Sequence, residues 1–261
     1  MARILAEKTE SSFAPSHSFR RCTTYWRGTT ISIVQDQAKF CTGSCGSLNL
    51  TPSSTIASSH LLIIYADTCD NGDSGCGSLS LSDTASNAWS GPTTVGQAGH
   101  GEVYMWYACS SKSGSDTITA TQSGSGQSIH MHFYELSGAA TSGCLDTTGT
   151  NNGSGLTVNA TTTASVAQSN EYVSSFFTDW DNNQTFTQGS NSTLQLQTNN
   201  STNGDSAASE INNAQTGLSG QQGASMTHNG SGGDIWLGII AAFKPALASP
   251  IVNDVIVNWS P

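Results

Sequence analysis

The sequence predicts an all-β fold, a two-sheet antiparallel β-sandwich of jelly-roll-like type. Three observations carry that expectation. Charged residues make up only 10% of the 261 residues, against about 25% in an ordinary globular domain, and Gly, Ser, Thr and Asn take their place. Apolar and β-branched residues come in short runs bounded by Gly, Ser, Asp and Asn clusters, where a chain reverses. No stretch sustains the 3.6-residue apolar spacing of an amphipathic helix. A hydrophobic fraction of 36% suffices for a sandwich core at this length.

Residues 1–28 are polar and without sustained periodicity, and read as an N-terminal arm. The ordered domain opens at 29–34 (TTISIV). Strands are expected at 47–50 and at 60–66, where HLLIIYA reads as a buried strand. A polar loop with Asp67, Asp70 and Asp73 follows, then a strand at 78–81 and a segment around Trp89 that stops at Gly91-Pro92. The organising stretch is 101–138. Strands at 103–109, 117–121 and 129–136 are separated by turns at 112–116 and 123–127, and they read as a three-strand meander whose apolar face needs a second layer. Residues 139–155 read as a long Gly/Thr/Asn connection. Further strands are expected at 156–163, 171–177, 185–187, 193–198, 224–227 and 235–243, the last stopped by Lys244-Pro245, since proline denies the ladder a donor. The sandwich domain thus spans 29–245. A tail, 246–261, carries a strand-like apolar face of Ile251, Val255, Val257 and Trp259. No internal repeat is visible.

The formal net charge is −10, and six of the eight basic residues (Arg3, Lys8, Arg20, Arg21, Arg27, Lys39) fall in the first 39. The body therefore lacks the basic surface that phosphate contacts require, which excludes nucleic acid as its partner. No run is long and apolar enough for a transmembrane helix, and the first residues lack the apolar core of a signal peptide. Membrane insertion is not expected. Seven cysteines (Cys22, Cys41, Cys45, Cys69, Cys76, Cys109, Cys144) favour disulfides and an oxidising compartment over zinc, whose paired C-x2-C or Cys/His signature is missing. Cys69 and Cys76 flank a Gly/Asp loop and suit a local bond, while Cys41 and Cys45 either close a small loop or reach elsewhere, and the overall pairing is open.

The motifs ISIVQ (31–35), HLLII (60–64), WYA (106–108), DTITAT (116–121), YELSG (134–138) and AAFKP (241–245), in that order, resemble a β-sandwich domain of uncharacterised bacterial surface proteins and phage structural proteins. The resemblance implies the fold and a cell-surface, extracellular or virion setting. It carries no catalytic residue. The Cys-rich loops, the arm and the tail depart from it.

Candidate sites follow from local chemistry. His130 and His132, two apart on a strand, face the same side and together suit zinc or copper, with His100, Glu102 or Glu135 as further ligands; hydrogen-bonded histidines on a sheet face are the other reading. Asp67, Asp70 and Asp73 offer the oxygens that calcium prefers, or form a solvated turn. Glu102, Glu135, Glu171 and Glu210 are the acids from which a glycosidase pair would be drawn, or are strand-end and turn acids; Trp26, Trp89, Trp106 and Trp180 are the rings that would stack on sugar, with Trp106 read first as a buried core ring. The tail suits strand addition to a neighbouring copy, or pairing within its own sheet. These readings favour a non-enzymatic structural or adhesive protein that forms homo-oligomers or polymers. A glycan-binding module or a glycan-directed hydrolase is the alternative.

Overall fold

The computed structural model describes residues 19–25, 29–41, 45–68, 77–124, 128–180, 184–200, 205–247 and 251–257. All regular structure among them is β. The strands are β1 (Phe19–Tyr25), β2 (Ser32–Cys41), β3 (Ser47–Leu50), β4 (Leu61–Thr68), β5 (Leu79–Asp83), β6 (Ser90–Gln97), β7 (Gly101–Ala108), β8 (Ile118–Gln122) and β9 (Ile129–Ser137). They continue with β10 (Leu145–Ser154), β11 (Thr157–Thr161), β12 (Tyr172–Asp179), β13 (Phe186–Thr187), β14 (Ser192–Asn200), β15 (Asp205–Asn212), β16 (Gly223–His228), β17 (Ile235–Phe243) and β18 (Ile251–Val257). The chain divides into one compact unit, 28–247, and a second built from its two ends.

The sandwich is double. β2-β9-β4-β7-β6 form one five-stranded antiparallel sheet and β10-β17-β12-β15-β14 another, and three-stranded sheets β3-β8-β5 and β11-β16-β13 accompany them. Side-chain alternation shows how they stack. Leu61, Ile63 and Tyr65 of β4 share a core with Tyr172, Phe176, Leu237 and Ile239 of the other five-stranded sheet. Leu62, Ile64 and Ala66 point the opposite way, onto Leu48, Leu50, Ile118 and Ala120 of the first small sheet. Val173, Phe177 and Ile240 meet Val158, Phe186 and Met226 of the second. The layers therefore run three, five, five, three. Strands β4, β12 and β17 are buried on successive residues because both of their faces are covered, and β4 and β17 are apolar along nearly their whole length.

Strand order is duplicated. Each half places its first, eighth, third, sixth and fifth strands in the large sheet and its second, seventh and fourth in the small one. Eight strands in two sheets is the strand count of a jelly roll; here they divide five and three. The contacts between halves are reciprocal: β2 touches β14 and β6 touches β10. Gln195 Nε2 donates to Asp36 Oδ2, and Asn152 Nδ2 donates to Gln97 Oε1 at 3.1 Å. Such exchange is what a two-fold relation produces. An internal repeat thus exists, contrary to the sequence reading. It lies in topology, since the two halves fill equivalent positions with different side chains.

Three further expectations are corrected. The stretch 101–138 is not a meander: β7 and β9 flank β4 in the large sheet, while β8 is the centre of the small one. Residues 145–154 are a strand, not a connection. So are residues 205–212, whose small Ala207, Ala208, Ser206 and Ser209 lie buried beside Phe176 and Phe177. Tertiary context overrides weak β-propensity at both places. In the cystine pattern, Cys41 bonds Cys45 and Cys109 bonds Cys144. Cys69 and Cys76 lie outside the described residues.

Candidate metal centre

Histidines 130 and 132 sit on β9 and, like Tyr134 and Leu136, face the second five-stranded sheet, where both are fully buried. They share one hydroxyl and then diverge. Thr198 Oγ1 of β14 lies 2.5 Å from His130 Nδ1 and 3.2 Å from His132 Nε2. The Nδ1 atom of His132 lies 2.8 Å from Ser209 Oγ. Both His132 nitrogens are thus occupied by hydroxyls. Burial holds its pKa well below the ordinary histidine value, and His130 adds to that depression.

His130 Nε2 has a different environment. It lies 3.2 Å from Asp205 Oδ1, the first residue of β15. The His130 backbone N–H donates to Asp67 Oδ1 at 2.8 Å. Asp67 Oδ2 makes no hydrogen bond of normal geometry, although the Thr178 hydroxyl is near. Ser128 Oγ donates to Asp205 Oδ2. One potential ligand atom from each of Asp67, His130 and Asp205 lies within 4.8 Å of the others, and all three residues are fully buried. Burial pushes the Asp67 carboxyl up to about 6; His130 opposes the rise and Asp205 adds to it. For His130, burial works downward, but the Asp67 and Asp205 carboxylates outweigh it and the net shift is upward.

The structure thus joins residues that the sequence reading assigned to two separate sites. Asp67 is the next-to-last residue of β4, on the same face as Ile63 and Tyr65, and it turns toward His130. Asp70 and Asp73 lie outside the described residues. Asp205 was not foreseen, because the strand it opens was not. His100, Glu102 and Glu135 do not join the cluster among the described residues.

A second group, Asp179, His228 and Asp234, closes one end of the second sandwich. His228 Nε2 donates to the Gly155 carbonyl at 2.8 Å, and Nδ1 lies 2.7 Å from Asp179 Oδ2. Burial lowers the His228 pKa, but Asp179 and the Gly155 carbonyl outweigh it, so His228 is raised. Both Asp234 oxygens accept from Ser231. The ladder position of Asp179 is held in the first half by Thr68, which accepts from Gln122 Nε2. The two halves thus close the same end with an ion pair and with a neutral hydrogen bond.

The acids named for glycan chemistry are not brought together. Glu102 stands opposite Thr68 and Glu135 opposite Leu62 along β4, a separation of about 20 Å at strand rise. Paired glycosidase acids stand at about 5–9.5 Å. Glu135 is held by Gln35 Nε2 at 2.6 Å, the Ala57 N–H at 2.9 Å and His60 Nδ1 at 2.7 Å. Trp106 and Trp180 are buried core rings, and the partly buried Trp89 donates to Asp83 Oδ2 at 2.8 Å. Trp26 lies outside the described residues.

Glu171, just before β12, is pushed up to about 7, first by burial and then by Asp146. A folded pKa above the unfolded 4.5 means that the folded chain holds a proton which the unfolded chain releases. Stability therefore falls as pH rises through the window from 4.5 to about 7. Glu171→Gln mimics the protonated acid. It should match the parent in urea unfolding at pH 4, below the window, and exceed it at pH 8; equal stability at both pH values would contradict this assignment.

Compared with protein-family models, with curated proteins and with solved structures, the chain finds no match in any of the three.

Proposed function

We propose that this chain is a non-enzymatic structural or adhesive protein of a cell surface, extracellular filament or virion, and that it assembles by strand addition at its ends. One observation carries the reading. The two ends of the chain meet in an antiparallel ribbon in which β1 pairs with β18, from Phe19↔Val257 to Tyr25↔Ile251. Residues 19–25, expected to be an irregular arm, thus form a strand, and the tail finds its partner within the chain. Among the described residues these strands pair only with each other. A two-stranded ribbon has an edge on both sides, and an edge presents backbone groups to any strand that can add to it.

Other features support the same setting. Two disulfides occur among the described residues, and such bonds persist in oxidising compartments. No helix among those residues is long and apolar enough to cross a membrane. The motif order of 29–245 resembles that of bacterial surface and phage structural domains.

Successive residues of an antiparallel strand direct their N–H groups to opposite sides. Val255→Pro and Ile256→Pro, made separately, therefore remove one donor from the ribbon's inner ladder and one from its outer edge. Light scattering and negative-stain microscopy of the full chain should show oligomers or filaments. The variant that has lost the outer donor should disassemble. A monomer at high concentration, or assemblies unchanged in both variants, would refute the reading.

A further inference from the structure

We propose that Asp67, His130 and Asp205 bind one divalent cation of the zinc class, which clasps the two five-stranded sheets together. Asp67 and His130 come from β4 and β9 of the first half, and Asp205 from β15 of the second. The donor set of one imidazole and two carboxylates is one that zinc accepts. A fourth position would fall to water or to a second carboxylate oxygen.

Geometry is the first argument. His130 Nε2 and Asp205 Oδ1 are 3.2 Å apart, an ion-pair distance when the ring is protonated, yet without the alignment of a normal hydrogen bond. With one Asp67 carboxylate oxygen they border one small buried space, and a cation placed there meets all three residues. A cation at about 2.1 Å from each would subtend an angle of roughly 100° between them, inside the range of tetrahedral and octahedral sites. Asp67 Oδ2, also buried and without a hydrogen bond of normal geometry, belongs to the same cluster.

Orientation is the second. Ligand histidines are commonly held through the nitrogen that does not bind metal. The Thr198 hydroxyl at 2.5 Å holds His130 Nδ1, which leaves Nε2 to the carboxylates. Two carboxylates around that nitrogen in a fully buried site call for positive charge between them, and a metal ion competes for the position with a proton on Nε2. The His228 ring is likewise held through one nitrogen, Nε2, by the Gly155 carbonyl, but its other partners differ. Its Nδ1 meets Asp179 Oδ2 at 2.7 Å, and Asp234 is already engaged by Ser231. That arrangement is a histidine–aspartate ion pair.

The test uses the full chain, stripped with a chelator, loaded with excess zinc, freed of unbound metal by gel filtration and assayed by atomic emission. One zinc per chain is expected. His130→Gln and Asp205→Asn should each bind at least ten-fold more weakly, while His228→Gln keeps full occupancy. Retention of zinc by both His130→Gln and Asp205→Asn, or its loss only in His228→Gln, would overturn the proposal, as would an unloaded parent. A measurement on the parent alone covers the case in which the variants do not fold. Cobalt(II) should bind one per chain without a thiolate charge-transfer band, and its binding should raise the thermal midpoint. A strong thiolate band would put the metal on cysteine and refute the site.

Discussion

Phe176→Ala should cost about 3–5 kcal/mol of stability, the range found when a large buried aromatic is truncated to alanine. Phe176 is fully buried at the meeting of the two five-stranded sheets. Its ring stacks on Tyr65 with centroids 5.6 Å apart and planes within 3°, and it meets the edge of His132 at 5.0 Å. Tyr65 and Phe176 are also each other's counterparts in the duplicated topology. Leu61 and Tyr172 open the equivalent ladders, opposite Leu136 and Phe243, and four residues further on stand Tyr65 and Phe176. Ring meets equivalent ring across the relation that joins the halves, so little backbone freedom exists there to collapse a cavity. Tyr65→Ala should cost a similar amount and also strip Ser174 Oγ of its 2.8 Å partner. The double variant should be non-additive, with a coupling of about 0.5–1.5 kcal/mol for the aromatic pair. Urea unfolding of the two singles and the double decides the matter. A loss under about 1 kcal/mol for Phe176→Ala, or strict additivity, would mean that the sheets do not mate through these rings.

What could be read from the sequence was the strand content, and the reason is local. The run from Leu61 to Ala66 is apolar at every position, so it had to be buried on both faces, and it is. Period-2 alternation places side chains on faces but does not say which sheet a strand joins. That is why β7, β8 and β9 looked like neighbours and are not. The segment 145–154 looked like a loop because glycine, threonine and asparagine form turns. Here small size serves packing: a Cβ on Gly149 would lie 1.8 Å from the Thr161 carbonyl oxygen, and elsewhere, between β13 and β14, one on Gly189 would lie 2.0 Å from that of Ser225. Composition cannot separate a glycine needed for a turn from one needed for close approach. The candidate metal centre was half legible. The His-x-His spacing placed both rings on one face, as the structure has them. Nothing local linked Asp67 to His130, and Asp205 enters only because a strand of small residues brings it across from the other half.

Replacing Cys109 and Cys144 by alanine should cost more than replacing Cys41 and Cys45. Cross-linking lowers the entropy of the unfolded chain by an amount that grows with the loop closed. The Cys109–Cys144 bond spans 35 residues and the Cys41–Cys45 bond spans 4, which gives roughly 4 and roughly 2 kcal/mol respectively by loop closure. Position works in the same direction. Cys109 follows β7, Cys144 precedes β10, and the bond ties the first half to the entry of the second. Cys144 is fully buried, and its N–H donates to Cys109 Sγ at 3.2 Å. The Cys41–Cys45 bond lies at the end of the edge strand β2 and joins residues only four apart. For a chain of this size the larger loss should lower the thermal midpoint by roughly 8–16 °C, and the smaller by about half as much. Both double variants can be followed in urea and by calorimetry. A Cys41/Cys45 variant that loses as much as the Cys109/Cys144 variant would show that the long bond adds little to a junction already held by the mated sheets.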